Sequence, residues 1–132
     1  MSTAIVVFTA ESKDEIIDSG GSQSWVVSKE RAQQQEFLVC VRNANNELSD
    51  GDERHRSAFL VGRISDVVVA LHPKRPHETG RWMIKISEYV EIDIADVWQG
   101  WRNPIHYTSL EDIGIEPATL SLRVVCQRGK IS

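Results

Sequence analysis

The chain has 132 residues and a formal net charge of −4, with 41% hydrophobic and 26% charged residues. This composition is typical of one soluble globular domain and excludes a disordered chain, a disulfide scaffold, and nonspecific coating of nucleic acid. No apolar run approaches the ~20 residues of a membrane helix and no signal-peptide pattern is visible, so we expect a cytoplasmic single domain over residues 1–132 without membrane contact.

The first half of the chain predicts three strands and one short helix. Residues 9–24 are interpreted as a flexible polar connection, because they end in a Ser-Gly-Gly-Ser run. Ser28 is expected to cap a helix over residues 29–35, since its hydroxyl can accept a hydrogen bond from a free backbone N–H. The third strand is apolar on both faces and is therefore expected at the centre of a sheet. The three predicted strands span residues 4–8, 25–27 and 36–42.

Two long strands dominate the second half. Residues 58–71 are almost entirely apolar, with Gly62 where a bend is expected. Residues 82–94 alternate apolar and polar side chains with only Glu88 out of pattern, which is typical of a strand with one buried face. Thirteen residues at ~3.3 Å each would span ~43 Å, more than the width of a small domain. We therefore expect this strand to bend within a curved sheet, which favours a barrel.

The end of the chain predicts one more helix and one more strand. Residues 108–111 match a capping box, and Gly114 is expected to stop the helix that follows. Residues 120–126 alternate as a final strand. Together these elements predict an α+β domain built on a small curved antiparallel β-barrel with two or three short helices.

The sequence offers little support for a metal, a cofactor or catalysis. Its four histidines lack the spacing of a zinc site, no glycine-rich phosphate loop is present, and Cys40 lies in an apolar run typical of core packing. The triplets His77-Glu78-Thr79 and His106-Tyr107-Thr108 match the paired motif of 2H phosphoesterases, in which two histidines act as acid and base. A phosphodiesterase using His77 and His106 therefore stays open as the least favoured function.

A tryptophan-rich segment is the strongest candidate for function. Trp98 and Trp101 lie three residues apart, next to Arg102 and Asn103. Aromatic rings can stack on a base, while Asn and Arg can bind its edge, a carbonyl or a phosphate. The alternative is a structural role, in which one tryptophan fills the mouth of the barrel.

The same segment carries a resemblance to a known family. Residues 98–103 (WQGWRN) resemble the W-x-G-V-R-N motif of EVE domains, which belong to the PUA-like superfamily with YTH and ASCH domains. Residues 25–30 are similar to the family's W-L-[VF]-K-S-E-P strand, with Arg31 in place of the proline. Residues 58–68 resemble its V-V-G-I-x-E-V-V strand, which in the family follows the tryptophan motif and here precedes it. Residues 82–92 and 109–113 are similar to the following strand and helix.

This resemblance implies a PUA-like fold and a non-catalytic module that recognises a nucleotide or a nucleic-acid base, often a modified one, in an aromatic pocket. Tryptophans would stack on the base, asparagine would bind its edge, and arginine would contact phosphate or carbonyl oxygen. The expected site residues are Trp25, Ser28, Arg42, Asn43, Trp98, Trp101, Arg102 and Asn103.

A protein-interaction or inhibitor module is the alternative function. Trp and Arg dominate the energetics of many protein interfaces, so the tryptophan-rich loop could anchor a protein partner instead of a base. A concave aromatic cage would favour a base, and a flat exposed patch would favour a protein.

Overall fold

The computed structural model describes residues 2–44, 53–70 and 81–125, and these residues form one sheet with two short helices. The helices are α1 (Lys13–Ser19) and α2 (Lys29–Gln33). Two 3-10 turns lie near the end of the described chain, at Glu111–Ile113 and Pro117–Thr119. The seven strands are β1 (Thr3–Thr9), β2 (Gly21–Trp25), β3 (Phe37–Arg42), β4 (Ala58–Val69), β5 (Trp82–Ile94), β6 (Ile105–Ser109) and β7 (Arg123–Val124).

The sheet is mixed and open. Its strand order is β2-β5-β4-β3-β1-β6, with β7 paired to β5. Strands β1 and β3 are parallel, and the other neighbours are antiparallel. The α+β class is therefore confirmed, but the expected closed antiparallel barrel is wrong. A parallel pair needs a long crossover connection, and here α1, β2 and α2 form that crossover.

Two hydrophobic clusters cover the opposite faces of the sheet. Because side chains alternate along a strand, Ile5 and Val7 of β1 enter the first cluster, while Ala4 and Val6 enter the second. All six residues of β3 are buried. Strand β3 thus lies at the centre of the sheet, as predicted for residues 36–42, and β1 separates it from the edge strand β6.

Strand β5 has the predicted bounds but a different pattern of burial. Arg63 on β4 pairs with Glu88, whereas the next residue, Ile64, pairs with Ile86. Ser87 is the extra residue of this β-bulge, and a bulge reverses the side on which later side chains point. The apolar residues before the bulge therefore pack on the first cluster, and those near the end of the strand pack on the second.

Both helices begin at a serine. Ser28 caps α2, since its Oγ accepts a hydrogen bond from the N–H of Arg31 at 3.3 Å, and this confirms the predicted start. Helix α1 lies in the segment predicted as a flexible connection. Ser12 caps its first turn, and Gly20 ends it in the left-handed conformation with φ 78°.

The C-terminal part departs from prediction because a strand occupies the capping-box residues. Residues 108 and 109 belong to β6, although Ser109 Oγ still accepts a hydrogen bond from the N–H of Asp112 at 3.2 Å. Only a 3-10 turn follows, and Gly114 ends it with φ 83°. The predicted final strand is reduced to the two residues of β7, and its predicted end, Cys126, lies outside the described residues.

Within the described ranges, no helix is long and apolar enough to cross a membrane.

The close packing of β2 against β5 gives a test of this fold. A Cβ atom added at Gly21 would overlap with the carbonyl oxygen of Ile84. We expect Gly21→Ala to lower the free energy of unfolding by about 1–3 kcal/mol, because backbone must move to make room. Urea denaturation monitored by circular dichroism measures this change.

Gly114→Ala is the matched control. Gly114 has open space around its missing Cβ, so alanine there suffers only from the positive φ, at a cost of about 1 kcal/mol. Equal or greater destabilisation by Gly114→Ala would contradict the close approach at Gly21.

Candidate functional site

A cleft lies where the segment following β2 faces β6, the strand at the opposite edge of the sheet. Its volume is about 440 Å³, within the usual range of small-ligand sites. The lining residues are Val26, Val27, Ser28, Arg31, Asn103, Ile105, His106 and Tyr107.

One wall is the connection between β2 and α2. Val27 packs on the first hydrophobic cluster, while Val26 is 68% exposed. Ser28 is held in place by its role as helix cap. One turn into α2, Arg31 places its guanidinium 3.8 Å from the centre of the Tyr107 ring, which is a cation–π contact across the cleft. This wall thus contributes apolar surface and one cation.

The other wall is β6 and the residues before it. Strand β6 pairs with β1 on one side, and no strand among the described residues pairs with its outer edge. His106 stacks on Trp101 with ring centres 3.7 Å apart and ring planes 4° apart. Asn103 Oδ1 accepts a hydrogen bond from the N–H of Ile105 at 3.3 Å, and its amide N–H groups take no part in that bond.

One cation lines the cleft, and the Glu30 carboxylate lies 3.5 Å from the hydroxyl of the lining residue Ser28. Arg31 is the one permanently charged side chain among the described residues that line it, and no carboxylate is among them. Burial raises the pKa of Tyr107, although the nearby Arg31 guanidinium opposes this, so the phenol keeps its proton at neutral pH. Burial lowers the pKa of His106, so its imidazole is neutral there and keeps one ring nitrogen as an acceptor.

The structure brings together two of the eight predicted site residues. Ser28 and Asn103 come from distant parts of the chain and line the same cleft. Trp25 lies next to this wall and packs on the first cluster. Trp101 lies behind His106, and Arg102 is exposed without lining the cleft.

Trp98 has a structural position. Its side chain is 3% exposed and packs in the second hydrophobic cluster. The ring stacks on Phe8 at 4.5 Å and contacts Trp101 edge to face at 4.8 Å. This is the arrangement expected of a tryptophan that fills the core.

Arg42 and Asn43 also lie away from the cleft. The Arg42 side chain is fully buried, donates to Glu53 Oε1 at 2.9 Å and to the Thr9 carbonyl at 3.1 Å, and lies 4.2 Å from the centre of the Phe59 ring. The N–H of Asn43 donates to the same Thr9 carbonyl. Arg42 therefore joins an internal ion pair.

Sequence reasoning missed most of the residues that line the cleft. The alternation of apolar and β-prone side chains over residues 105–108 was a usable sign of a strand, but the neighbouring capping-box match obscured it. Arg31 had no such sign, because its role depends on a ring 76 positions away in the chain. His106 was considered only as a phosphodiesterase residue, and the residues missed altogether are Val26, Val27, Arg31, Ile105 and Tyr107.

The carboxyl group of Glu11 is buried beside strand β2. Glu11 Oε1 accepts hydrogen bonds from Ser22 Oγ at 2.5 Å and Thr9 Oγ1 at 3.1 Å, and Ser22 Oγ accepts from Trp25 Nε1 at 2.9 Å. Burial raises the pKa of Glu11 to about 7, with a smaller contribution from the nearby carboxylate of Glu15. The two hydroxyl hydrogen bonds oppose this shift.

Neither a metal site nor a paired-histidine site is assembled in the described part of the chain. No group of three or more His, Cys, Asp or Glu side chains there could hold a metal ion. Cys40 is fully buried, and burial raises the pKa of its thiol, which leaves it unreactive. His77, the predicted partner of His106, lies outside the described residues.

The positions of the two tryptophans predict different effects on stability. Trp98→Ala should lower the free energy of unfolding by about 3–5 kcal/mol, because it leaves a large cavity in the second cluster. Trp101→Ala removes a half-buried ring and should cost less, about 1–2 kcal/mol. Chemical denaturation of both variants tests this order, and an equal loss would show that Trp98 does not fill the core.

Glu11 predicts a characteristic pH dependence of stability. Its pKa is higher in the folded state, about 7, than its ordinary value of 4.5, so the folded state retains a proton that the unfolded chain releases. The resulting stabilisation is complete below pH 4.5 and is lost as the pH rises towards 7. Between pH 4.5 and 7, the free energy of unfolding of the wild-type protein should therefore fall by up to about 3 kcal/mol relative to that of Glu11→Gln.

Denaturation of both proteins at several pH values measures this difference. Glu30→Gln, at an exposed position of α2, controls for the loss of one negative charge. If Glu11→Gln and Glu30→Gln change the free energy of unfolding by the same amount at every pH, the Glu11 carboxyl group does not titrate as described.

Comparison with known protein families, with characterised proteins and with solved structures finds no match to this chain. The assignment of function therefore depends on the cleft and its chemistry.

Proposed function

We propose that the protein is a non-catalytic binding module that holds a nucleotide or a nucleic-acid base in the cleft between α2 and β6. The observation that carries this proposal is the combination of planar groups, a cation and free donors around one cavity of nucleotide size. The Arg31 guanidinium stacked on the Tyr107 ring provides the planar groups, and Asn103 provides an amide.

Planar groups bind bases by stacking. A base can stack on an aromatic ring or on a guanidinium plane, and each such contact contributes about 1–3 kcal/mol. The Arg31–Tyr107 contact offers both kinds of surface in one place. The His106 ring lies on the other face of β6, where it stacks on Trp101, so it does not belong to this stacking surface.

The electrostatics of the cleft suit an anion. The chain as a whole is acidic, with a net charge of −4, so broad attraction to nucleic acid is not expected. Arg31 nevertheless gives this cleft a local positive charge, with no carboxylate among its described lining residues. A single nucleotide or one flipped base with its phosphate fits this pattern better than a long duplex does.

The resemblance to PUA-like domains supports the same proposal. Ser28 belongs to the segment that is similar to the family's opening strand, and Asn103 ends the segment that resembles its tryptophan motif. These two segments are far apart in sequence and meet at one cleft. We therefore propose a PUA-like domain whose sheet is open at the ligand site.

The alternative of a protein-interaction module has less support. It requires tryptophan side chains that a partner can reach, but Trp98 is buried and one face of Trp101 is covered by His106. A hot spot for protein binding needs more accessible aromatic surface than this loop presents.

Calorimetric titration with ribonucleoside 5′-monophosphates and with short single-stranded RNA and DNA tests the proposal. Arg31→Ala and Asn103→Ala should each raise the dissociation constant by about tenfold or more, because each removes a donor to a charged or buried ligand atom. Arg123→Ala and Asn43→Ala are matched controls at positions outside the cleft and should bind normally. Failure of every probe to bind, or equal effects of cleft and control variants, would contradict the proposal.

A further inference from the structure

Three exposed arginines, which we call the arginine patch, lie beside the Asn103 end of the cleft. Arg54 and Arg56 belong to the turn before β4, and Arg102 directly precedes Asn103, which lines the cleft. None of the three forms an ion pair with a described residue, so their charges face solvent unneutralised. The described cations that do pair with carboxylates are Lys13, Arg42 and Arg63.

Backbone hydrogen bonds hold the two segments of the arginine patch together. The carbonyl oxygen of Arg56 accepts from the N–H groups of Val97 at 3.0 Å and Trp98 at 3.3 Å. The Arg56 side chain also reaches this loop, since a Cβ atom added at Gly100 would lie 3.8 Å from its Nη2 atom. Arg102 follows two residues after Gly100, so the turn and the loop contribute to one surface.

A row of ring contacts connects this surface to the cleft. His55, which lies between the two arginines of the turn, contacts Phe8, and Phe8 stacks on Trp98. Trp98 contacts Trp101, which in turn stacks on His106 in the wall of the cleft. The arginine patch is therefore adjacent to the cleft, on the face of β6 that carries His106.

Few carboxylates oppose the arginine patch. Glu53 is already paired with the buried Arg42, with 2.8 Å between nitrogen and oxygen. Asp96 is the one exposed carboxylate in the described segments 53–57 and 95–104. Three permanent cations face this single anion, which gives a local surplus of positive charge in a chain whose net charge is −4.

We infer that the protein binds single-stranded nucleic acid, with one base in the cleft and the neighbouring phosphates on the arginine patch. This inference rests on the proposed function and extends it from a nucleotide to a strand. Arginine suits phosphate, because its planar fork can form two parallel hydrogen bonds with phosphate oxygens. Basic surfaces that follow the backbone, together with base stacking, are the usual means of binding a single strand. A nucleoside monophosphate has no second phosphate to place on such a surface.

Calorimetric titration of the whole chain tests this inference with a single-stranded pentanucleotide of all four bases, the four mononucleotides, and a pentameric sugar-phosphate chain without bases. At low salt the pentanucleotide should bind at least about tenfold more tightly than any mononucleotide, because it adds charged hydrogen bonds. Its affinity should also fall more steeply with salt, by about two further powers of ten per tenfold increase, since each phosphate contact contributes about 0.7. The chain without bases should bind weakly, because nothing in it fits the cleft.

These probes also separate the failure of the inference from the failure of the proposed function. If the pentanucleotide binds no more tightly than the best mononucleotide, the inference is wrong and the proposed function stands. Equal binding of the pentanucleotide and the chain without bases, or of the pentanucleotide and a duplex of the same sequence, would also overturn the inference. If no probe binds, both fail.

Variants assign the effect to the arginine patch. Arg56→Asn and Arg102→Ala should each weaken pentanucleotide binding and reduce the salt dependence by about 0.7–1, with little change for mononucleotides. Asparagine is chosen at position 56 because φ there is 72°, a conformation that asparagine tolerates. Arg123→Ala is the control, since it removes an exposed arginine on β7. Equal losses in the control and in the patch variants would contradict the assignment, and Arg102→Ala decides it alone if Arg56→Asn does not fold.

Discussion

The parallel pairing of β1 with β3 is the constraint on which the rest of the fold depends. Six consecutive residue pairs hold these strands together, and hydrophobic clusters cover them on both faces. Parallel neighbours cannot be joined by a tight turn. The chain between them must leave the centre, and it carries α1, β2 and α2 before it returns. The long connection is therefore a consequence of the central pairing.

The same crossover places one wall of the cleft. Strand β2 cannot join the centre, because β3 already pairs with β1 and β4, so it pairs with β5 at one edge of the sheet. After the chain has formed β4 and β5, β6 returns to the free side of β1 and becomes the other edge. The two edges come close together at the cleft, where the Arg31 guanidinium lies on the Tyr107 ring.

Sequence patterns predicted the strands and caps that local residue types determine. The bounds of β5, the central position of β3 and the Ser28 cap follow from local residue types, and each is found. The open, mixed sheet was not predictable in the same way, because alternation indicates a strand without showing whether its neighbour is parallel. The bulge at Ser87 shows a related limit. Glu88, the one residue out of the alternation, lies beside the bulge, but a single irregular residue does not by itself show that side-chain direction reverses.

The candidate site was predicted only where a motif happened to coincide with the cleft. Trp98 and Trp101 are equivalent in sequence, yet one fills the core and the other supports His106. That difference depends on Phe8, a residue 90 positions away from Trp98. Arg42 was an equally plausible phosphate ligand, but the buried surroundings of β3 direct it to Glu53. Roles of this kind are set by tertiary contacts that residue types do not reveal.

The contact between Arg31 and Tyr107 has a consequence for the kind of molecule that can enter. The cation and the ring already interact with each other, and such a contact contributes about 0.5–2 kcal/mol. The guanidinium stacks through its flat face, so one face of the ring is covered while the N–H groups in the plane of the guanidinium stay available. A group that stacks on this face of Tyr107 would first have to displace Arg31, whereas a group that accepts hydrogen bonds at the guanidinium edge would leave the contact in place.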